Sequence, residues 1–499
     1  MSLLAVGAMM LGGCAVGPDY QAPLLALPSH WSRAEAASPS RPPDLAHWWT
    51  RFRDPLLDQL VEEAVGGNLD VAAARARIRE ARASYRQAVG ALFPTLRNTE
   101  SAMRSKGPGF SSQGVSGLQP MGNTPSPSRP GFDGPYTQFQ AGFDASWELD
   151  LFGANRRAVE AAAYGAEASE NNLRSVLLTL VGDIASNYVQ LRGYQARITL
   201  ARRTAVSQDV TTQITRNRLA AGSGSAADVA NATGQAATTR AAIPTLEMSY
   251  AEAVHRLSVL IGRPPAALDG RLAKPASIPM PKLPITAGIP ADILLTRPDV
   301  RLAERQYAQS TARIGQAEAA RYPSVNLTGS IGTSGTQLGD LGRNSSISWS
   351  FGPSLSVPVF NGGKLRAAVE IAQAQRDQSF IAYQSSVLVA LRDVEDALLS
   401  LGKERSRSRM LAASAMAYRQ AASLSQSLYR AGSSSFLDVL TAERSLYSAE
   451  DTLLQSQVLI AANYIALNKA LGGGWDGQID VAKPEVADTN TGPHALETD

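Results

Sequence analysis

Two long stretches of this chain contain no proline, Phe152 to Ile243 and Val359 to Lys483. Proline breaks a helix because it has no N–H to donate and its ring meets the preceding turn. These stretches can therefore be helical without interruption. In the first, Leu173, Leu177, Leu180, Ile184 and Leu191 recur at spacings of three, four and seven. In the second, Val387, Leu391, Val394, Leu398 and Leu401 recur at three and four. Such spacing marks the seams of packed helices. A helix from Gly153 to about Ala221 would be roughly 100 Å long at about 1.5 Å per residue. No ordinary globular domain is that wide. Small residues fill much of the remainder, so neighbouring helices can approach closely.

The chain also repeats itself. "RLAAGSGSAADV" (218–229) matches "LYRAGSSSFLDV" (428–439), pairing Gly222 with Gly432 and Asp228 with Asp438. "LDLFG" (149–153) matches "VPVFN" (357–361), and "QAVGALFP" (87–94) matches "QAEAARYP" (316–323). The last two offsets, 208 and 229, differ by 21, so the first half carries an insertion. The Gly/Pro/Ser-rich segment 105–135 accounts for it. The expected organisation is a signal remnant (1–14), a Pro-rich tether and following segment (15–54), a first repeat (55–262), a Pro-rich connector (263–290), a second repeat (291–474) and a disordered tail (475–499). The first repeat should hold a helix, strands at about 93–104 and 137–151, a long helix 153–221 and a helix 226–261. The second should hold a helix, strands at about 323–333 and 347–359, a long helix 362–431 and a helix 435–471.

The strands are two-faced. In "TQFQAGFDASWELDL", Phe139, Phe143 and Trp147 share one side, while Gln138, Gln140, Asp144 and Glu148 share the other. In "ISWSFGPSLSVPV", Trp349 and Phe351 alternate with serines. Period two of this kind places one face on apolar surroundings and one on water. The segment after Pro94, "TLRNTESAMR", alternates poorly and reads as a strand mainly through the repeat. Four strands in water would make half a sandwich, but no others are available for a second sheet. In a bilayer an open sheet edge is excluded, because each unpaired backbone group costs several kcal/mol. Four strands cannot close a barrel, since about eight is the observed minimum. Strands that enter a membrane must then be lent by several chains, and three chains lending four each leave room for an aqueous lumen. The polar faces would line it.

Composition excludes more than it includes. The net charge of +3 over 499 residues gives no reason to expect nucleic acid. His30, His47, His255 and His494 are scattered, no pair sits at metal-ligand spacing, and no cofactor is expected. "NGGKL" (361–365) lacks the first glycine and the Ser/Thr of a phosphate loop. No nucleophile elbow or triad pattern occurs, so an enzyme is not expected. No apolar run of about 18 residues offers a spanning helix. "MSLLAVGAMMLGGC" ends at the sole cysteine, Cys14, like the end of a bacterial lipoprotein signal. It lacks a basic leading region, so the start reads as truncated. Cys14 is the expected lipidation site, and an ordinary signal peptide with an incidental cysteine is the alternative.

Five segments, "WWTRFRDPLLDQL" (48–60), "WELDLFG" (147–153), "LLTRPDVRLAE" (294–304), "YRAGSSSFLDVLTAERSL" (429–446) and "NKALGGGW" (468–475), resemble hallmarks of TolC-like outer-membrane factors, in the OprM/NodT-type lipoprotein branch. The resemblance spans nearly the whole chain in order. It implies a mainly α protein with a small membrane β part: a homotrimer with a twelve-stranded barrel, four strands per chain, and a periplasmic α-barrel tunnel of long antiparallel helices. It further implies an outer-membrane lipid-anchored location with palmitate on the anchor. The implied partners are a periplasmic adaptor and an inner-membrane pump of the resistance-nodulation-division class, and the implied role is multidrug efflux. The lumen would be lined by Gln138, Gln140, Asp144 and Glu148, with Phe139, Phe143, Trp147, Trp349 and Phe351 facing lipid.

The resemblance also makes the turns at Gly222 and Gly432 the adaptor-docking tip. Around them a periplasmic constriction is expected from Tyr429, Arg430, Leu437, Asp438, Thr441 and Arg444, with Asp228 nearby. Related chains often read "LDAQRSL" where this one reads "LTAERSL", so Thr441 stands in place of a gate aspartate. Glu443, two positions on, should point elsewhere on a helix. The expectation is a weaker cation preference, with a Leu437 ring as the main constriction and any acidic character coming from Asp228 and Asp438. Two other readings stay open: the outer-membrane exit of a type I-like secretion system, and a structural periplasmic coiled-coil lipoprotein.

Overall fold

A computed structural model describes residues 15–32, 45–106, 135–281, 297–475 and 480–481. Cys14, most of the 105–135 insertion, the later part of the connector and nearly all of the tail lie outside the described residues. The elements in order are α1 (Pro55–Gly67), α2 (Leu69–Gly90), β1 (Thr95–Ser105), β2 (Tyr136–Leu149), α3 (Ala154–Ala220), α4 (Ala226–Leu260), the single turn α5 (Asp269–Leu272), α6 (Pro298–Ala319), β3 (Ser324–Gly335), β4 (Ile347–Ser356), α7 (Lys364–Arg430) and α8 (Phe436–Ala470). The long helices α3 and α7 have 67 residues each, and α4 and α8 have 35 each. No described helix is long and apolar enough to cross a membrane. The fold is mainly helical, with one four-stranded sheet.

Two units divide the chain. One takes Met1–Gln21, Ala83–Ala163 and Ala308–Asp377, the other Ala22–Arg82, Tyr164–Tyr307 and Gln378–Asp499. Each draws on both sequence repeats, so the division runs across the repeats and not between them.

The first unit holds the sheet, antiparallel throughout in the order β1-β2-β3-β4. Paired residues share a face, so register assigns sides. One side carries Phe143, Ile331 and Trp349 in a row across β2, β3 and β4, with Trp147 opposite Leu327 beside them. The other carries Asp144, Ser330 and Ser350 in a row, and the two serine hydroxyls lie 2.8 Å apart. Gly329 leaves room on the apolar side; a Cβ there would meet the Phe351 ring at 3.4 Å. Pro353 has no N–H to offer a ladder, and it sits on the edge strand of the sheet, β4, opposite Leu327. β1 explains its own poor alternation. It pairs with β2 over eleven positions, yet its residues on the apolar side are Leu96, Asn98, Glu100, Ala102 and Arg104.

An N-terminal strap closes over this unit. The Val16 N–H donates to the Phe152 carbonyl at 3.1 Å. The buried Arg157 guanidinium donates to the Val16 and Gly17 carbonyls at 3.2 Å and to Asp19 at 2.7 Å, and also to Glu160 at 2.7 Å. The strap fits because Gly17, at φ +90°, crosses Gly315, where an added Cβ would fall 2.3 Å from the Gly315 Cα.

In the second unit the aromatic pair Trp48–Trp49 is buried against Phe52 and Tyr464. The Trp48 indole donates to the Gly473 carbonyl at 3.2 Å, and Trp49 stacks on Trp475 with ring centroids 6.2 Å apart. The "WW" and "GGGW" motifs, more than four hundred positions apart, are therefore two sides of one contact. Asp54 caps α1 through the Leu56 N–H and accepts from the Tyr188 hydroxyl at 2.6 Å. Burial, then the hydrogen bond to Asp54, pushes the Tyr188 phenol well above its ordinary range. Arg297 lies buried, donating to Asp299, Asp393 and the Ala470 carbonyl. Burial works against the Asp299 carboxylate, but the Arg297 guanidinium outweighs it and holds the group below the usual range.

Candidate functional site

Two hairpin turns in the second unit join α3 to α4 and α7 to α8. Gly222 at φ +71° and Gly432 at φ +82° end the long helices. Both close the same way. The Gly222 N–H donates to the Leu219 carbonyl and Ser223 to Arg218, while Gly432 donates to Tyr429 and Ser433 to Leu428. This is the Schellman pattern, in which a left-handed residue lets two orphan carbonyls be satisfied. The next helices start on capping boxes. Ser225 accepts from the Ala227 N–H and Asp228 accepts from the Ser225 N–H; Ser435 accepts from the Asp438 N–H while Asp438 accepts from both the N–H and the hydroxyl of Ser435.

The structure bears on two expectations here. Asp228 and Asp438 have structural work, because each carboxylate holds the first turn of its helix. Ser-x-x-Asp is legible in both turns as a start signal, and that signal is present in the sequence. Tyr429 does not present its ring to a lumen, being only 5% exposed. It packs with Phe436, Val439 and Ala232, its hydroxyl lies 3.4 Å from the Thr215 hydroxyl, and Arg218 sits over its ring at 4.5 Å while donating to its carbonyl at 2.6 Å. A helical position tells which residues share a face, but not which neighbour will cover that face.

The remaining tip residues are exposed. Leu437, Thr441 and Arg444 recur at i, i+4 and i+7 along one open face of α8, with Leu437 67% exposed, and Arg430 is exposed beside them. Glu443 points away from this face, as expected. It is buried and accepts from the Thr211 hydroxyl at 2.8 Å and from the Gln426 amide at 2.7 Å.

The sheet residues fall on the sides that their alternation predicts. Gln138, Gln140, Asp144 and Glu148 share one face, Asp144 lies opposite Arg97, and the Thr99 hydroxyl donates to Asp144 at 3.2 Å. Phe139, Phe143, Trp147, Trp349 and Phe351 share the other. The Trp147 indole donates to the Leu92 carbonyl at 2.9 Å, so its polar edge is satisfied while its ring stays out. Among the described residues, no group of acidic, His or Cys side chains is arranged to hold a metal.

Among the described residues, then, stand one sheet whose outer strands β1 and β4 pair with no further strand and two long helical hairpins, the make-up of an outer-membrane channel protein. The family model described as "Outer membrane efflux protein" matches residues 60–263 and 289–473, and the chain belongs to that family. Its members are channels, not enzymes. The chain is 35% identical over 471 residues to nodulation protein T of Rhizobium leguminosarum bv. trifolii, covering 94% of this chain and 96% of that one. It is 34% identical over 483 residues to the toluene efflux pump outer membrane protein TtgI of Pseudomonas putida, covering 95% and 98%. Among solved structures, the outer-membrane channel OprN superposes with a TM-score of 0.84 at 34% identity, covering 93% of this chain and all of that one. The open-state MtrE channel of Neisseria gonorrhoeae gives 0.78 at 30% identity, covering 92% and 98%. The TolC-like fold and the efflux family that the motifs implied are thus both found.

Proposed function

We propose that three copies assemble into a twelve-stranded barrel and a ring of long helices that passively conducts small toxic compounds from the periplasm to the outside, fed by an inner-membrane pump of the resistance-nodulation-division class through a periplasmic adaptor. The observation that carries this reading is the sheet of four strands, with one apolar and one polar side and, among the described residues, no strand paired to either edge. Such a sheet is stable in lipid only when its edges are closed by further strands. Drug-type efflux is favoured over secretion by the likeness to pump components such as TtgI. Lipid attachment at Cys14 belongs to the same proposal, as does adaptor docking at the Gly222 and Gly432 turns.

Purified protein in a planar bilayer should conduct ions, and deletion of the gene should sensitise cells to apolar toxicants. A chain that gives no conductance, and that runs as a soluble monomer, defeats the reading in favour of a structural coiled-coil lipoprotein. A deletion strain that loses export of a protein and keeps its drug resistance favours the secretion duct. Within the gate, the exposed Leu437–Thr441–Arg444 line is the proposed lining, with Leu437 as the narrowest ring. Thr441→Asp should then raise the cation preference of single channels, because three carboxylates would face the pore. Unchanged selectivity would remove Thr441 from the lining.

A further inference from the structure

The exposed line of α8 does not end near the tip. From Leu437, Thr441 and Arg444 it continues through Ser448, Gln455 and Leu459 to Ala466, all exposed. Leu437 and Ala466 are 29 residues apart, which is about eight turns, so one side of the helix carries the whole line for roughly 44 Å. Tyr464 lies on the opposite side, against Trp48 and Phe52. If Leu437 faces a lumen, so does Ala466.

Ala466 lies in a cavity of about 620 Å³ walled by α3, α7, α8 and the start of α6, all in the second unit. That volume suits a drug-sized molecule. Six charged side chains face it, and four are engaged with one another. Arg297 donates to Asp299 through two nitrogens, at 3.0 and 2.6 Å, and to Asp393 at 3.3 Å. Arg392 donates to the other oxygen of Asp393 at 2.8 Å. The remaining two are Asp396, 4.0 Å from Arg392, and Lys469, 3.8 Å from Asp183. Both distances are beyond hydrogen-bond reach. The cavity therefore holds one uncommitted carboxylate and one uncommitted ammonium.

These two charges stand across from each other. α7 and α8 run side by side, tied by Gln426–Glu443 and Ser456–Glu404. Arg297 donates to both Asp393 and the Ala470 carbonyl, which sets those two residues level. Asp396 and Lys469 both lie on the tip side of that level, so their heights differ by about 3 Å, on helices whose axes pack about 8–10 Å apart. A cationic molecule entering here meets Lys469 and Arg392, and an anionic one meets Asp396. A molecule that carries both charges satisfies both walls. Ser175, Thr179, Ser400 and Asn463 also face the cavity, and their side chains make no hydrogen bond among the described residues. Leu178, Ala397 and Ala466 supply apolar wall. Resting on the channel reading above, we infer that this cavity is a way station on the conduction path for zwitterionic small molecules. The ammonium end lies on Asp396 and the anionic end on Lys469, each through a charge-assisted hydrogen bond.

The test is calorimetric titration of the full-length protein, in detergent at neutral pH, with the tripeptide phenylalanyl-alanyl-phenylalanine. This probe carries an ammonium and a carboxylate at the ends of an apolar body about 10 Å long. Its N-acetyl form, an anion, and its C-terminal amide, a cation, are the controls. Each capped form should bind about tenfold more weakly than the zwitterion, the worth of one charged hydrogen bond. Asp396→Asn should weaken the zwitterion by a similar factor without weakening the N-acetyl form, which has no ammonium to place there. Lys469→Met should weaken the zwitterion and spare the amide. Equal affinity of the three peptides for the unaltered protein, or no binding of any, overturns the site, and this arm needs no variant to fold. A protein that conducts in a planar bilayer and treats the three peptides alike overturns the site alone. One that selects the zwitterion but gives no conductance overturns the path, and the channel reading with it.

Discussion

At the first turn Leu219 and Ala226 flank Gly222; at the second, the positions 210 residues on hold Tyr429 and Phe436, both buried, around Gly432. The backbone is nearly a copy. The same Schellman bonds end both long helices and the same capping box starts both return helices. The side chains are not copied. The second turn has its own small core of Tyr429, Phe436 and Val439, while the first contributes Ala232 and the reaching Arg218. Backbone needs, a positive φ and a cap, were kept in both repeats. Packing was free to diverge, and it placed the bulk, and with it the proposed constriction, in the second.

The comparison breaks most visibly at Phe436. Phe436→Ala should cost about 3 kcal/mol, from lost transfer energy and a cavity, and amide exchange should accelerate across the second turn. Its counterpart Ala226→Gly should cost no more than about 1 kcal/mol. Equal protection in the two variants would mean that the aromatic core does not hold the tip. Next comes Arg218→Ala, which removes a charged hydrogen bond and a cation–π contact. The expected loss is about 1–2 kcal/mol for this partly exposed group, together with more frequent opening in single-channel records. Arg218→Lys should restore little, because the ammonium lacks the planar fork that reaches carbonyl and ring together. Gly222→Ala and Gly432→Ala should cost about 1 kcal/mol each, because both put a Cβ at positive φ. That pair sharpens the contrast, since thermal unfolding should rank the two glycines alike and the variants at Ala226 and Phe436 apart.

Much of the fold is legible in the amino-acid sequence. The long helices follow from proline-free stretches with apolar seams, and β2 and β4 follow from strict alternation. β1 is hidden because its side facing away from Arg97 and Thr99 carries Asn98, Glu100 and Arg104, so no alternation of hydrophobicity survives. Only the repeat points to it. The tip is half legible. Exposure of Leu437, Thr441 and Arg444 and burial of Glu443 follow from helical geometry. Burial of Tyr429 depends on Arg218 and Thr215, which lie more than two hundred residues away. The Trp48–Gly473 bond is out of reach for the same reason: both motifs stand out, but nothing local says that they touch.

The two capping boxes restrict how this tip can drift. Asp228 and Asp438 cannot change sign or vanish without fraying the helix that each begins, at about 1 kcal/mol per lost cap. Residues such as Thr441 and Arg444, whose side chains hold up no backbone, are under no such restraint. In the proposed gate, variation among lineages in what is conducted would accumulate there, leaving the two acids as a constant background of negative charge.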